Sequence, residues 1–118
     1  MATINGTGAD EFLIGDTLDA DTSDEINGFG GRDTLVGGWE DDTLNGGGGR
    51  DTADYSVGTS FPGPPAAGVT VDLAAGTGTD SFGFTDTYVS IDNVIGSDFG
   101  DSLTGNHIAN ELYGGDGN

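Results

Sequence analysis

A nine-residue unit repeats three times in register over 28–54: GFGGRDTLV, then GGWEDDTLN, then GGGGRDTAD. Glycine opens each unit. An aspartate (Asp33, Asp42, Asp51) holds the sixth place, and an aliphatic or small residue (Leu35, Leu44, Ala53) the eighth. A unit this short has too little apolar surface to be stable alone, so it must stack on its neighbours. Around the eighth place about three residues can extend, the middle one facing inward. Two units then make one coil of strand, turn, strand, turn. Successive coils stack at about 4.8 Å, the distance between strands of a sheet. The expected architecture is all-β, with two short-stranded parallel sheets. Their inward residues Phe12, Ile26, Leu35, Leu44, Ala53, Leu103 and Leu112 form a thin apolar column.

The register extends in both directions. NGTGADEFL (5–13) fits with Asp10 in the sixth place and Phe12 in the eighth, and 14–27 fits as one unit that carries a five-residue insertion and ends in Asp24, Glu25 and Ile26. GSDFGDSLT (96–104) fits with Asp101, and GNHIANELY (105–113) with Asn110 in the aspartate place, where any cation site would be weak or absent. The last five residues, GGDGN, open a further unit, so the chain reads as part of a longer protein. Between the arrays lies a less regular stretch, 55–95. FPGPP (61–65) disfavours regular structure. Val69, Val71 and Leu73 alternate with Thr70 and Asp72 as a half-buried strand. AAGTGTDSFGFTD reads as loop, and Tyr88, Val89, Ile91, Val94 and Ile95 as a second apolar strand region. The stretch is expected to continue the same solenoid with longer turns, giving one domain over 1–118; a separate small domain is the alternative. No segment carries a helical period.

Composition explains why stacking alone is not enough. Only 33% of the 118 residues are hydrophobic and 24 are glycine, so the core is thin. Twenty-one acidic residues stand against two cationic ones, Arg32 and Arg50, a formal net charge of −19. Such self-repulsion opposes compaction, and it makes nucleic acid and anionic lipid poor partners. Without a neutralising cation, the composition is that of a disordered acidic segment. There is no cysteine for disulfides or thiolate metal sites, and no apolar run of membrane-spanning length. In a small extracellular domain a structural metal is the remaining staple.

Calcium suits this turn. It takes six to eight oxygen ligands at about 2.3–2.6 Å, from carboxylates and backbone carbonyls alike. Glycine lets the chain adopt positive φ and turn several carbonyls inward. One turn offers about three oxygens and two turns one coil apart about six, so the ion belongs between stacked turns.

The three contiguous units resemble the repeats-in-toxin (RTX) nonapeptide G-G-x-G-x-D-x-U-x, a calcium-binding solenoid repeat. The resemblance covers 5–54 and 96–118 directly, and 51–97 looks like the irregular connecting segment of RTX regions. It implies a parallel β-roll, a right-handed β-solenoid, with calcium ions between the turns. It further implies a ligand set: carbonyls of places two and four plus the aspartate from one turn, carbonyls of places one and three plus the aspartate from the turn one coil later. Carried onto this chain, one site takes Phe29, Gly31 and Asp33 with Gly46, Gly48 and Asp51. A second takes Gly6, Gly8 and Asp10 with Gly28, Gly30 and Asp33. A third takes Ala20, Thr22 and Asp24 with Gly37, Trp39 and Asp42. A fourth takes Ser97, Phe99 and Asp101 with Gly114 and Asp116. Phe29 and Glu40 stand where the family has glycine, and Glu40 is expected to strain or alter its turn.

The remaining residues read more plainly. Asp72, Asp80, Asp86 and Asp92 are isolated and are expected to be solvated turn residues. Arg32 and Arg50 are expected to be exposed and to damp local charge, and His107 to lie on the surface. Without a Cys nucleophile, a Lys, HExxH or a GxSxG elbow, no catalysis is expected. The resemblance implies a calcium-dependent, monomeric module of a secreted bacterial protein, exported by type I secretion. Its parent would be a toxin, protease, lipase, epimerase or adhesin, whose other domains are its partners. A roll that binds a carbohydrate, ice or another target through its outer strands, or one that serves a secreted hydrolase or epimerase, is the alternative.

Overall fold

The computed structural model describes residues 3–15, 23–38, 40–56, 68–80, 83–97, 100–106 and 110–113. Among these every regular element is a strand and no helix occurs. In chain order the strands are β1 (Thr3–Asn5), β2 (Phe12–Ile14), β3 (Glu25–Asn27), β4 (Thr34–Val36), β5 (Thr43–Asn45) and β6 (Thr52–Asp54). There follow β7 (Thr70–Asp72), β8 (Thr77–Thr79), β9 (Thr85–Val89), β10 (Asn93–Ile95), β11 (Ser102–Thr104) and β12 (Glu111–Tyr113). Nearly all are three residues long, as one inward side chain between two outward ones requires. Apart from β7–β9, which share one sheet, the chain alternates between two sheets, ordered β1-β3-β5-β9-β8-β7-β11 and β12-β10-β6-β4-β2. The architecture is a parallel β-roll.

The register places one inward residue per strand in line with the next. Ile4, Ile26, Leu44 and Tyr88 are aligned in the seven-stranded sheet. Leu13, Leu35, Ala53, Val94 and Leu112 are aligned in the other. Ile26, Leu35, Leu44, Ala53 and Val94 are fully buried, with Ile4, Leu13, Tyr55 and Leu103 packed against them. Fully burying each such side chain stabilises the roll by about 1.5–3 kcal/mol. The column is only one residue wide on each side.

Two core expectations are corrected. Phe12 is 54% exposed; Leu13 holds the inward position, opposite Leu35. The first turn is therefore GTGADEFLI (6–14), one residue later than the spacing had placed it, and Glu11 rather than Asp10 precedes the strand. A one-residue slip of a period-two pattern turns every side chain to the opposite face. The structure seats the aliphatic Leu13 inside and leaves the bulkier ring in solvent. Leu112 is aligned with Val94 but 37% exposed, because its strand lies at the sheet edge.

The middle stretch joins the same two sheets. β9 pairs in parallel with β5, and β10 with β6, so 85–95 forms the next coil. Val69, Val71 and Leu73 are buried as their alternation predicts. The expected loop AAGTGTDSFGFTD instead contains β8, antiparallel to both β7 and β9. This inserted hairpin separates β9 from β11 in one sheet, while β10 and β12 remain neighbours in the other. FPGPP lies outside the described residues.

Candidate metal centre

Each turn of the tandem array repeats one backbone shape. φ is positive at places two and four: 73° and 97° at Phe29 and Gly31, 100° and 73° at Gly38 and Glu40, 82° and 99° at Gly47 and Gly49. This explains the glycine pattern. It also shows that Phe29 and Glu40 take the same positive φ as the glycines at equivalent places, at a cost of about 1–2 kcal/mol each for a left-handed residue with a Cβ. Stacking holds them there. The Gly48 N–H donates to the Phe29 carbonyl (2.6 Å), and the Gly30 N–H donates to the Thr7 carbonyl (3.2 Å). The second bond aligns Thr7 with Phe29 and confirms the shifted register of the first turn.

The sixth-place carboxylates form two ladders, one along each edge of the roll. On one edge the Glu11 N–H donates to Asp33 Oδ1 (2.9 Å), the Asp33 N–H to Asp51 Oδ1 (2.9 Å) and the Asp51 N–H to Asp92 Oδ2 (2.9 Å). On the other the Asp24 N–H donates to Asp42 Oδ1 (2.8 Å), the Asp42 N–H to Asp86 Oδ1 (3.0 Å) and the Val69 N–H to Asp101 Oδ1 (2.8 Å). One carboxylate oxygen thus ties each coil to its predecessor. The other faces the opening glycine of its own turn: Asp33 Oδ2 faces Gly28, Asp51 Oδ2 faces Gly46 and Asp101 Oδ2 faces Gly96. A Cβ on Gly28 would meet both Asp33 Oδ2 and the Gly46 carbonyl of the next coil (2.7 Å). These three Oδ2 atoms are buried without a hydrogen-bond partner. A buried carboxylate oxygen left unsatisfied is costly, and a coordinated cation is one way to satisfy it. Among the described residues no three acidic or histidine side chains converge on one point. A cation here has to be completed by backbone carbonyls, the donor set calcium accepts.

Phe29, Gly31 and Asp33 lie against Gly46, Gly48 and Asp51 in stacked turns, linked through Phe29–Gly48 and Asp33–Asp51. Gly28 and Gly30 face the first turn, but Thr7, Ala9 and Glu11 hold its places two, four and six, in the positions expected for Gly6, Gly8 and Asp10. Asp10 is exposed, and its Oδ1 accepts the Arg32 N–H (2.8 Å). Asp24 and Asp42 are buried and linked, and Gly15 lies over the Gly37 carbonyl. Ala20, Thr22 and Trp39 lie outside the described residues, as do Phe99, Gly114, Asp116 and His107. Asp101 Oδ1 accepts the Ser97 hydroxyl (2.7 Å). Asn110 does occupy the carboxylate place, beside Gly105. Arg50 lies 4.0 Å from Glu111, a surface pair of small energetic weight.

Asp86 and Asp92, expected to be solvated, belong to the ladders, and Asp80 is buried as well. The missed signal is shorter than the nonapeptide. DTYV (86–89) and DNVI (92–95) carry the same carboxylate-x-U-x tetrapeptide as DTLV and DTLN. Only two residues, Ser90 and Ile91, separate Val89 from Asp92, so a search for full glycine turns passes over them.

Burial raises the Asp33 carboxyl above its ordinary value of 3.8, against the Glu11 N–H bond that lowers it. Burial likewise pushes Asp51 up to about 6 and Asp86 up to about 7. With folded values above unfolded ones, the cation-free roll binds more protons than the unfolded chain. Its stability is then fullest below about pH 4 and falls as pH rises toward 6–7. In chelator, acidification from pH 8 to pH 4 is therefore expected to increase the strand signal in circular dichroism. A cation held by the same oxygens would invert the dependence, because protons would compete with it. A cation-free strand signal that weakens on acidification would contradict this.

No protein-family model matches the chain, and no curated protein matches it.

Proposed function

We propose that this chain is a calcium-dependent β-roll module of a secreted bacterial protein, in which calcium is both structural staple and folding trigger. The observation that carries the reading is the set of buried, unpartnered Oδ2 atoms of Asp33, Asp51 and Asp101, repeated at equivalent places in the roll. Asp33 and Asp51, with the carbonyls of their stacked turns, would hold one ion. Calcium supplies the positive charge that a chain of net charge −19 lacks. Glycines shape the turns, and the carboxylate ladders fix the coil spacing. Extracellular calcium modules bind at about 10⁻⁴–10⁻³ M. The cytosol then leaves the chain unfolded for export, and the exterior folds it. Among the described residues no helix is long and apolar enough to cross a membrane. Circular dichroism through a calcium titration, with magnesium as control, tests the proposal.

A second reading has one observation in its favour. Because successive units lie in opposite sheets, the place-seven threonines Thr34, Thr43 and Thr52 by themselves form only short runs. The inserted hairpin lengthens one of them. Thr3, Glu25, Thr43, Thr87, Thr77, Asp72 and Thr104 are aligned across the outer face of the seven-stranded sheet. Three adjacent threonines, Thr43, Thr87 and Thr77, flanked by the carboxylates of Glu25 and Asp72, form a row of polar groups that suits a carbohydrate. Retention of the folded chain on a polysaccharide matrix, weakened by Thr43→Ala and Thr87→Ala together, would favour it; no retention would remove it.

A further inference from the structure

In most turns of the roll the opening residue is glycine, and the sixth-place side chain lies against it: Asp33 on Gly28, Asp42 on Gly37, Asp51 on Gly46 and Asp101 on Gly96. The turn that leads into β9 is built differently. The Tyr55 N–H donates to the Ile95 carbonyl (2.8 Å), as the Gly28 N–H does to the Asn45 carbonyl (2.8 Å). Tyr55 therefore opens the turn that ends at Asp86, and this turn also carries the β7–β8 hairpin. Asp86 keeps its ladder bond to the Asp42 N–H through Oδ1. Its Oδ2, however, accepts the Tyr55 hydroxyl (2.7 Å), which also pairs with the Tyr88 hydroxyl. Tyr88 and Asp86 are buried. A Cβ on Gly78, in β8, would strike the Tyr88 hydroxyl (2.6 Å), so the hairpin closes over the cluster.

We infer that Tyr55 is a built-in plug. Its hydroxyl gives Asp86 the partner that a cation would give Asp33, Asp51 and Asp101, and the β5–β9 joint is closed without calcium. The inference rests on the calcium reading for what the other joints hold, but the tyrosine–carboxylate pair stands by itself. Both oxygens of Asp86 are satisfied by protein donors, which removes the drive to bind an ion. A place-one side chain also fills the space that glycine leaves beside the carboxylate elsewhere. The roll then contains a metal-independent joint where the hairpin interrupts the regular stacking.

The test counts bound calcium on the full chain by equilibrium dialysis with calcium-45. Asp86→Asn is expected to leave the count of the wild type unchanged, whereas Asp51→Asn lowers it by at least one. Equal losses in the two variants would overturn the plug. If Asp86→Asn does not fold, Tyr55→Phe serves: a count at or above the wild type supports the plug, and a lower count overturns it. A wild type that binds no calcium would defeat the calcium reading instead. The plug is then decided by urea unfolding of Tyr55→Phe, Asp86→Asn and the double variant. Tyr55→Phe should lower the folded-to-unfolded ratio about tenfold or more, and much less once Asp86 is already asparagine. Equal effects in both backgrounds would overturn it.

Discussion

In excess chelator at neutral pH the chain is expected to show no strand signal, and to gain it cooperatively as free calcium rises through about 10⁻⁴–10⁻³ M. The reason lies in the balance of small terms. The apolar column is one side chain deep on each sheet, so burial contributes little beyond the cost of ordering so glycine-rich a chain. Against it stand a net charge of −19 and several buried carboxylates. At free calcium ten times Kd each occupied site adds about 1.4 kcal/mol. The proposed sites would share coils, so filling one would order the turn that completes the next, and the transition should be steeper than single-site binding. Magnesium should not substitute, since it demands octahedral geometry and gives up its water reluctantly. A complete strand signal in chelator would leave the β-roll standing and remove calcium as its trigger.

Gly49→Ala is expected to destabilise the calcium-loaded roll by about 3 kcal/mol or more, seen as a large drop in the urea midpoint. Two effects add. Gly49 has φ of 99°, a conformation that costs a residue with a Cβ about 1–3 kcal/mol. Its Cβ would also collide with the carbonyl oxygen of Gly31 in the stacked turn. That collision cannot be relieved by rotating a side chain, because the obstacle is backbone. The turns must separate where Asp33 and Asp51 meet, so the calcium needed for folding should rise as well. Gly8→Ala is the matched control. A Cβ there meets nothing within 4 Å, and the change should stay within about 0.5 kcal/mol. Similar midpoints for the two variants would show that turn stacking does not limit stability.

Much of the roll was legible in the repeat. Ile26, Leu35, Leu44 and Ala53 are buried where the eighth place puts them, and Asp33, Asp42 and Asp51 are buried where the sixth does. Legibility failed where the repeat stops being redundant. In NGTGADEFLI two registers fit almost equally, because both Asp10 and Glu11 offer a carboxylate and both Phe12 and Leu13 an apolar side chain. The contacts across the coil chose Glu11 and Leu13. Asp86 and Asp92 were hidden because their turns lack the glycine frame, although each precedes a strand of the same form.

The spacing of carboxylate, strand and glycine determined by itself that this chain is a roll of three-residue strands with acidic turns. Those features recur locally, and each copy votes for the same geometry. The fate of each carboxylate was decided only in three dimensions. Asp51 keeps a buried unpaired oxygen, while Asp86, at the same place in its coil, is closed by a tyrosine 31 residues away. The difference depends on which chain segment folds back against each oxygen. A nine-residue period carries no record of that, because the partner comes from an inserted turn outside the repeat.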